Sequence, residues 1–432
     1  MPAVPSSAAV AEQRDAVGTA GLYLFAFSAW SLRPLAVVGC LLMLWALWAD
    51  RAVCWPQLRR DPLTWVLLAL AGYALLYAPI AALATPTDWE QQVKHGARIA
   101  YYAGLIPVAW YLRGKEGRVL RCWALAGAGF FLARLFFLGE LDRLDGPPEV
   151  ARLGLGLEPI SFAYYAGTLL LAVPVFAGRC LRPLHGRHLV LATVGLLVLA
   201  VLLFEGVLLS RTRAAWIALL PLLLLVGAVG IARALRYRDV RALVAMKAVA
   251  VFVAGLLLLA LPMIGERLAT EQHTLAALQV GDFDRIATRD AQGNPNSIGT
   301  RVVMLREGVA HWRESPLFGH GPAAAKLMLR DSDVPRLADF NDYHNVQLDI
   351  LVRLGLIGFG LFAAILLLLL GGFRRGWRRR SLRGDTALFL GCVFALLLAS
   401  TLTNVRLLNW DFRYWFFLVA GPLASYRYYC RP

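Results

Sequence analysis

Long apolar runs recur along this chain and leave little freedom in what it can fold into. Twelve stretches carry few charges, at about 17–31, 34–49, 63–84, 97–112, 119–139, 159–177, 188–209, 214–232, 243–265, 346–371, 386–403 and 410–429. Most reach the roughly 20 residues that an α-helix needs to cross a hydrocarbon layer; the first, second and fourth are shorter. Lipid offers no partner to an open backbone group, so such spans must be helical. The expected architecture is an all-α polytopic membrane protein of about twelve transmembrane helices. Nine fall in residues 1–265 and three in 346–432, with a hydrophilic segment, 266–345, between them.

Charge sets the orientation. Charged residues make up only 17% of the chain, yet the formal net charge is +16. At 59% hydrophobic the chain is not intrinsically disordered. A soluble nucleic-acid binder would carry the charge but not the apolar runs, so no nucleic-acid partner is expected. The basic residues collect in alternate loops. One set holds Arg51, Arg59 and Arg60; Arg113, Lys115, Arg118 and Arg121; Arg179, Arg182 and Arg187; Arg233, Arg236, Arg238 and Arg241; and Arg374, Arg375, Arg378, Arg379, Arg380 and Arg383. The short loops between them hold only Arg33, Lys94, Arg143, Arg152, Arg211, Arg213 and Arg406. Basic loops stay cytoplasmic, so both termini are expected inside and 266–345 outside. Only Arg14 precedes the first apolar run, flanked by Glu12 and Asp15, which is not the pattern of a cleaved signal. The six cysteines show no C-x-x-C spacing, and no zinc site or disulfide framework is expected.

Within the outer segment, 299–314 reads as an amphipathic helix with Val302, Leu305, Val309 and Trp312 on one face. Four outward-facing features bear on chemistry. Ser210-Arg211-Thr212-Arg213 forms a very short turn between two spans. Its arginines either snorkel at a helix end or clamp an anionic group, since guanidinium forks suit phosphate oxygens. Arg301, with Arg306 nearby, opens the amphipathic helix; a solvated helix face is the plain alternative. Pro316-Leu317-Phe318-Gly319-His320-Gly321-Pro322 reads as a structured turn or a place of close approach. Tyr343-His344-Asn345 stands where the chain re-enters the membrane. His344 can take and release a proton near neutral pH, or it is a plain interfacial histidine. Asn345 is followed by nine residues and then by Gly355 and Gly358, which suit close helix packing. Lys94 and Arg98, one turn apart, either join an anion site or snorkel.

Asp282-Phe283-Asp284 and Asp331-Ser332-Asp333 have a D-x-D form that arises easily by chance in an acidic loop, and no metal site is assigned. Arg134, Glu205 and Arg353 are charges inside apolar spans; Asp349 and Arg353 are spaced to pair with each other. There is no H-E-x-x-H, Walker A or G-x-S-x-G pattern.

Twelve spans, one large loop between spans nine and ten, and the motif H-N-x9-G-x-x-G resemble the bacterial O-antigen ligases. The S-R-T-R turn and G-T-R…W-R-E-S-P-L-F-G-H-G are similar to the pattern of the wider superfamily, which includes O-antigen polymerases and protein O-oligosaccharyltransferases. The resemblance runs over about 20–430. It implies a GT-C-type glycosyltransferase of the inner membrane, active at the periplasmic face, inverting, and needing neither metal nor nucleotide cofactor. Its partners would be undecaprenyl pyrophosphate-linked O-antigen, lipid A–core and membrane lipids. On that resemblance His344 acts on the acceptor hydroxyl, and Arg211 and Arg301 hold the pyrophosphate. Arg213, Lys94, Arg98, Tyr343 and Asn345 would bind substrate. A polymerase, a protein-directed ligase and a polyprenyl-lipid transporter remain alternative readings. A transporter would show repeated halves with midplane polar sites, and the sequence shows no such repeat.

Overall fold

The computed structural model describes residues 7–84, 86–145, 152–237, 279, 297–334, 337–404, 406 and 408–429. The expected ninth span at 243–265 and the Asp282–Asp284 motif lie outside the described residues.

Among the described residues the ordered elements are helices. They are α1 (Ser7–Ser28), α2 (Arg33–Ala49), α3 (Arg51–Leu58), α4 (Pro62–Ala84), α5 (Trp89–Ala100), α6 (Leu105–Leu112), α7 (Glu116–Arg134) and α8 (Pro159–Leu181). There follow α9 (Gly186–Leu209), α10 (Arg213–Tyr237), α11 (Ser297–Glu314), α12 (Ala324–Arg330), α13 (Val346–Arg378), α14 (Gly384–Thr403) and α15 (Trp410–Tyr429). Seven spans among them are long and apolar enough to cross a membrane; α2 and α3, bent by 94°, make an eighth if taken as one.

The expected count of twelve is therefore not reached among the described residues, for physical reasons that differ by element. The fourth expected span is broken into α5 and α6 by a tight turn at Tyr101–Gly104. α1 and α15 are 22 and 20 residues long, but they carry charges such as Arg14, Asp15, Asp411, Arg413 and Arg427. α15 tolerates them because it is enclosed by protein. Phe412, Tyr414, Trp415, Phe416, Phe417 and Leu418 are all buried in the core. Against it pack α6, α13 and α14, and aromatic contacts such as Tyr102–Phe416 (5.1 Å) and Phe412–Trp415 (4.9 Å) fill the layer.

The two sets of loops separate to opposite ends of the bundle. Arg179 bridges Glu116 at 2.7 Å and Asp385 at 3.0 Å, Arg233 reaches the Gly384 carbonyl at 3.2 Å, and Arg427 pairs with Asp61 at 2.9 Å. All come from the basic loops or the residues flanking them. At the other end Arg152 donates to the Ser210 carbonyl at 3.3 Å, Arg406 pairs with Glu158 at 3.4 Å, and Asn345 Nδ2 donates to the Leu402 carbonyl at 3.3 Å. This second end carries every described candidate residue.

α11 turns inward a face that only partly matches the expected one. Val309 and Trp312 pack against a buried cluster as expected, but Thr300, Val303 and Met304 are buried too, while Leu305 is 40% exposed. The reason is Gly308, where an added Cβ would lie 2.6 Å from Leu348 and 3.0 Å from Tyr343. Its bare backbone lets α13 approach, and α11 rotates to present it.

Candidate active site

α13 is not one continuous helix. Gly355 has φ +62°, a left-handed conformation that interrupts the span. A broken helix leaves backbone groups without partners, which is costly in an apolar setting. The turn at 316–322 supplies them. Leu356 N–H donates to the Pro316 carbonyl (2.9 Å) and Ile357 N–H to that of Leu317 (3.3 Å). His320 N–H donates to the Val352 carbonyl (2.9 Å) and Gly321 N–H to that of Arg353 (3.0 Å). α4 clasps the same turn. Tyr77 donates to the Gly319 carbonyl at 2.7 Å, and the Tyr73 hydroxyl lies 3.0 Å and 3.2 Å from the carbonyls of Phe318 and Leu354. So Gly355 serves close approach, as expected, but of a loop rather than a second helix.

A buried polar knot fixes this arrangement. Arg353, 2% exposed, pairs with Asp349 at 2.6 Å, as its spacing suggests. It also donates to His95 Nδ1 at 2.9 Å, to the Pro322 carbonyl and to the Asn341 carbonyl at 3.2 Å. His95 is held neutral: burial drives its pKa down, and the charges of Arg353, Arg98, Lys326 and Lys94 push the same way. Gln92, buried beside it, accepts from Ala323 N–H at 2.9 Å. Asp88 grips Arg330 through two contacts, 2.9 Å and 3.2 Å. Arg330 holds the Asp88 carboxyl below its usual range, and Asp331 of the D-x-D motif is engaged by the same guanidinium at 2.7 Å.

His344 sits just beyond this knot, at the N-terminal entry of α13, with its side chain 29% exposed. Its Nδ1 lies 2.7 Å from Asp342 Oδ1, and its own backbone N–H donates to that same oxygen at 3.0 Å. A left-handed backbone, φ +53°, makes both contacts at once. Phe340 packs edge-on against the ring at 5.2 Å. A carboxylate on Nδ1 fixes the tautomer and leaves Nε2 as the proton acceptor. Asp342 was not a sequence candidate. Its signal, an acid two residues before the histidine, is lost among the other acids of the segment.

The neighbours of His344 have structural work. Tyr343 is 1% exposed and bonded to His311 Nδ1 at 2.7 Å; burial raises its hydroxyl pKa. Asn345 caps α13, accepting from Leu348 N–H at 2.9 Å.

The S-R-T-R turn is braced from one side. Arg152 reaches the Ser210 carbonyl (3.3 Å) and the Thr212 hydroxyl (3.4 Å), Leu153 N–H donates to the Leu209 carbonyl (3.0 Å), and Thr212 donates to the Pro159 carbonyl (3.4 Å). Arg211 holds φ +52° and is half-buried. The turn thus rests on the start of α8. Five residues along α8, Tyr164 lies within electrostatic reach of Arg301 and beside Asn404. Asn345 reaches Leu402 on the same end of α14. Arg211, Arg301 and His344 are in this way strung around the ends of α8 and α14. Lys94 and Arg98 border the polar knot: both charges act on His95, that of Arg353 acts on Arg98, and Arg413 donates to the Arg98 carbonyl at 3.0 Å.

Residues 198–363 match the sequence profile of a family described as O-antigen ligase. That segment contains Arg211, Arg213, Arg301, Asp342, His344 and the break at Gly355. No curated protein matches the chain in sequence.

Proposed function

We propose, from the match of residues 198–363 to the O-antigen ligase sequence profile, that the protein transfers an O-antigen glycan between two membrane lipids. The donor is undecaprenyl pyrophosphate-linked glycan and the acceptor a sugar hydroxyl of lipid A–core. The reaction runs at the periplasmic face of the inner membrane. The fold type we propose is GT-C, with the basic loops and both termini in the cytoplasm.

The observation that carries this reading is the His344–Asp342 pair. His344 Nε2 takes the proton from the acceptor hydroxyl as its oxygen attacks the anomeric carbon. Asp342 keeps Nδ1 protonated and offsets the charge of the imidazolium that forms. The bond from the anomeric carbon to the pyrophosphate oxygen breaks, and attack from the opposite side inverts the centre. Negative charge then builds on the leaving pyrophosphate. Arg211 and Arg301, with Arg213 in support, stabilise that charge. The rigid S-R-T-R turn favours this role, because a preset guanidinium costs no reorganisation during reaction.

Arg211→Ala and Arg301→Ala should each lower kcat/KM for the lipid-linked donor by about 100-fold, the loss seen when one charge-stabilising donor is removed from an active site. Steady-state kinetics with the donor varied measures this. Unchanged donor kinetics in both variants would remove the clamp.

A further inference from the structure

A second group of cations lies on the other side of α15. Arg33 opens α2, Lys94 and Arg98 stand one turn apart on α5, and Arg413 lies in the first turn of α15. Arg413 is 7% exposed, its Nη1 donates to the Arg98 carbonyl at 3.0 Å, and its guanidinium stacks 4.8 Å over the Tyr101 ring. Its Nε has no partner. Arg33 is close enough to Arg98 for its charge to act there. Among the described residues, none of the four makes an ion pair with a carboxylate. Arg353, Arg406, Arg330 and Arg427 each have one.

Snorkelling does not account for Arg413. A snorkelling arginine lays its stem on apolar surface and keeps its head in water, whereas Arg413 is enclosed and lies against Arg98. Like charges held together at low dielectric repel, and an anion between them removes the cost. The group is also separate from the S-R-T-R side. Asp411 reaches back to Ser161 on α8 (2.6 Å) and to Arg406 (3.4 Å). Arg413 follows two residues later, about 200° around the helix, and contacts α5 instead.

We infer that Arg33, Arg98 and Arg413, with Lys94, form a second anion site that takes the phosphate group of a membrane lipid other than the pyrophosphate donor. Guanidinium forks suit phosphate oxygens, and the start of α2 puts them at headgroup level. The proposed function bears only on which lipid this is: joining two lipid-borne substrates calls for two headgroup sites, and the second would receive a phosphorylated glycolipid acceptor.

The test measures lipid binding by the full-length purified protein and by an Arg33→Gln, Arg98→Gln double variant. The probes are lipid A with both phosphates, the same lipid dephosphorylated, phosphatidylglycerol, and undecaprenyl pyrophosphate. Arg33 is exposed and Arg98 half-buried, so the variant should melt with the wild type, which a thermal scan checks. Its affinity for bisphosphorylated lipid A should fall about tenfold or more, as expected for lost charged contacts. Binding of dephosphorylated lipid A and of undecaprenyl pyrophosphate should not change. A matching loss for phosphatidylglycerol would support the site and make bulk phospholipid its occupant. An equal loss for undecaprenyl pyrophosphate would merge it with the donor site and overturn the inference, as would unchanged binding of every phosphorylated lipid. Arg211→Ala, run in parallel, should lose only undecaprenyl pyrophosphate; if it does not, the donor reading fails and the second site stands.

Discussion

At His344 a single carboxylate oxygen serves the backbone N–H and the imidazole together, at 3.0 Å and 2.7 Å. That double contact needs the left-handed backbone at position 344, a conformation histidine adopts more readily than most residues. Two residues that work as one unit should not have additive effects. Asp342→Ala is expected to lower transfer by about 100-fold or more, in the range seen for positioned acid–base groups. His344→Ala should lower it at least as far, and the double variant no further than His344→Ala alone. Initial rates with both substrates saturating check this; additive losses would mean that Asp342 acts apart from His344. His344 is legible in the sequence because a histidine at the start of an apolar span stands out. Asp342 is not, because its role lies in a backbone angle. Tyr343 and Asn345 share the histidine's motif, but one is spent on His311 and the other on capping α13.

Helices are where sequence patterns speak most clearly. Apart from the ninth, which lies outside the described residues, each expected apolar run coincides with a helix or a broken pair. What the pattern does not carry is contact between distant segments. Gly355 and Gly358 look the same whether a helix or a loop approaches, and the 316–322 turn that fills the break lies over thirty residues earlier. Gly355→Ala would set its Cβ 2.2 Å from the Leu317 carbonyl oxygen at a positive φ. A loss of about 2–4 kcal/mol is expected, seen as a lower unfolding temperature. Gly360, with nothing near its missing Cβ, should accept alanine without loss. Equal behaviour of the two variants would refute the plugged break. His95 links this element to pH. Its pKa is lowered by folding, so below about pH 6.5, the ordinary histidine value, the unfolded chain binds a proton that the folded chain refuses. Stability then falls as pH falls. His95→Gln keeps an acceptor for Arg353 without a titrating group. It should flatten the decline of unfolding temperature between pH 7.5 and 5; an unchanged slope would mean that His95 is protonated in the fold.

Over the whole molecule, charge and chemistry divide between the two ends. The basic loops gather at one end, tied by Arg179, Glu116 and Asp385. The other end holds fewer basic residues, and these border the site. Two arginine groups on opposite sides of α15 fit a reaction that unites two lipids. The most direct measurement is transfer by the purified protein, given only undecaprenyl pyrophosphate-linked glycan and lipid A–core, with chelator present and no nucleotide. The wild type should extend the lipid A–core band with the glycan and release undecaprenyl pyrophosphate, and His344→Ala, equally folded, should not. Product from His344→Ala, or glycan joined only to a second lipid-linked glycan or a peptide, would contradict the account.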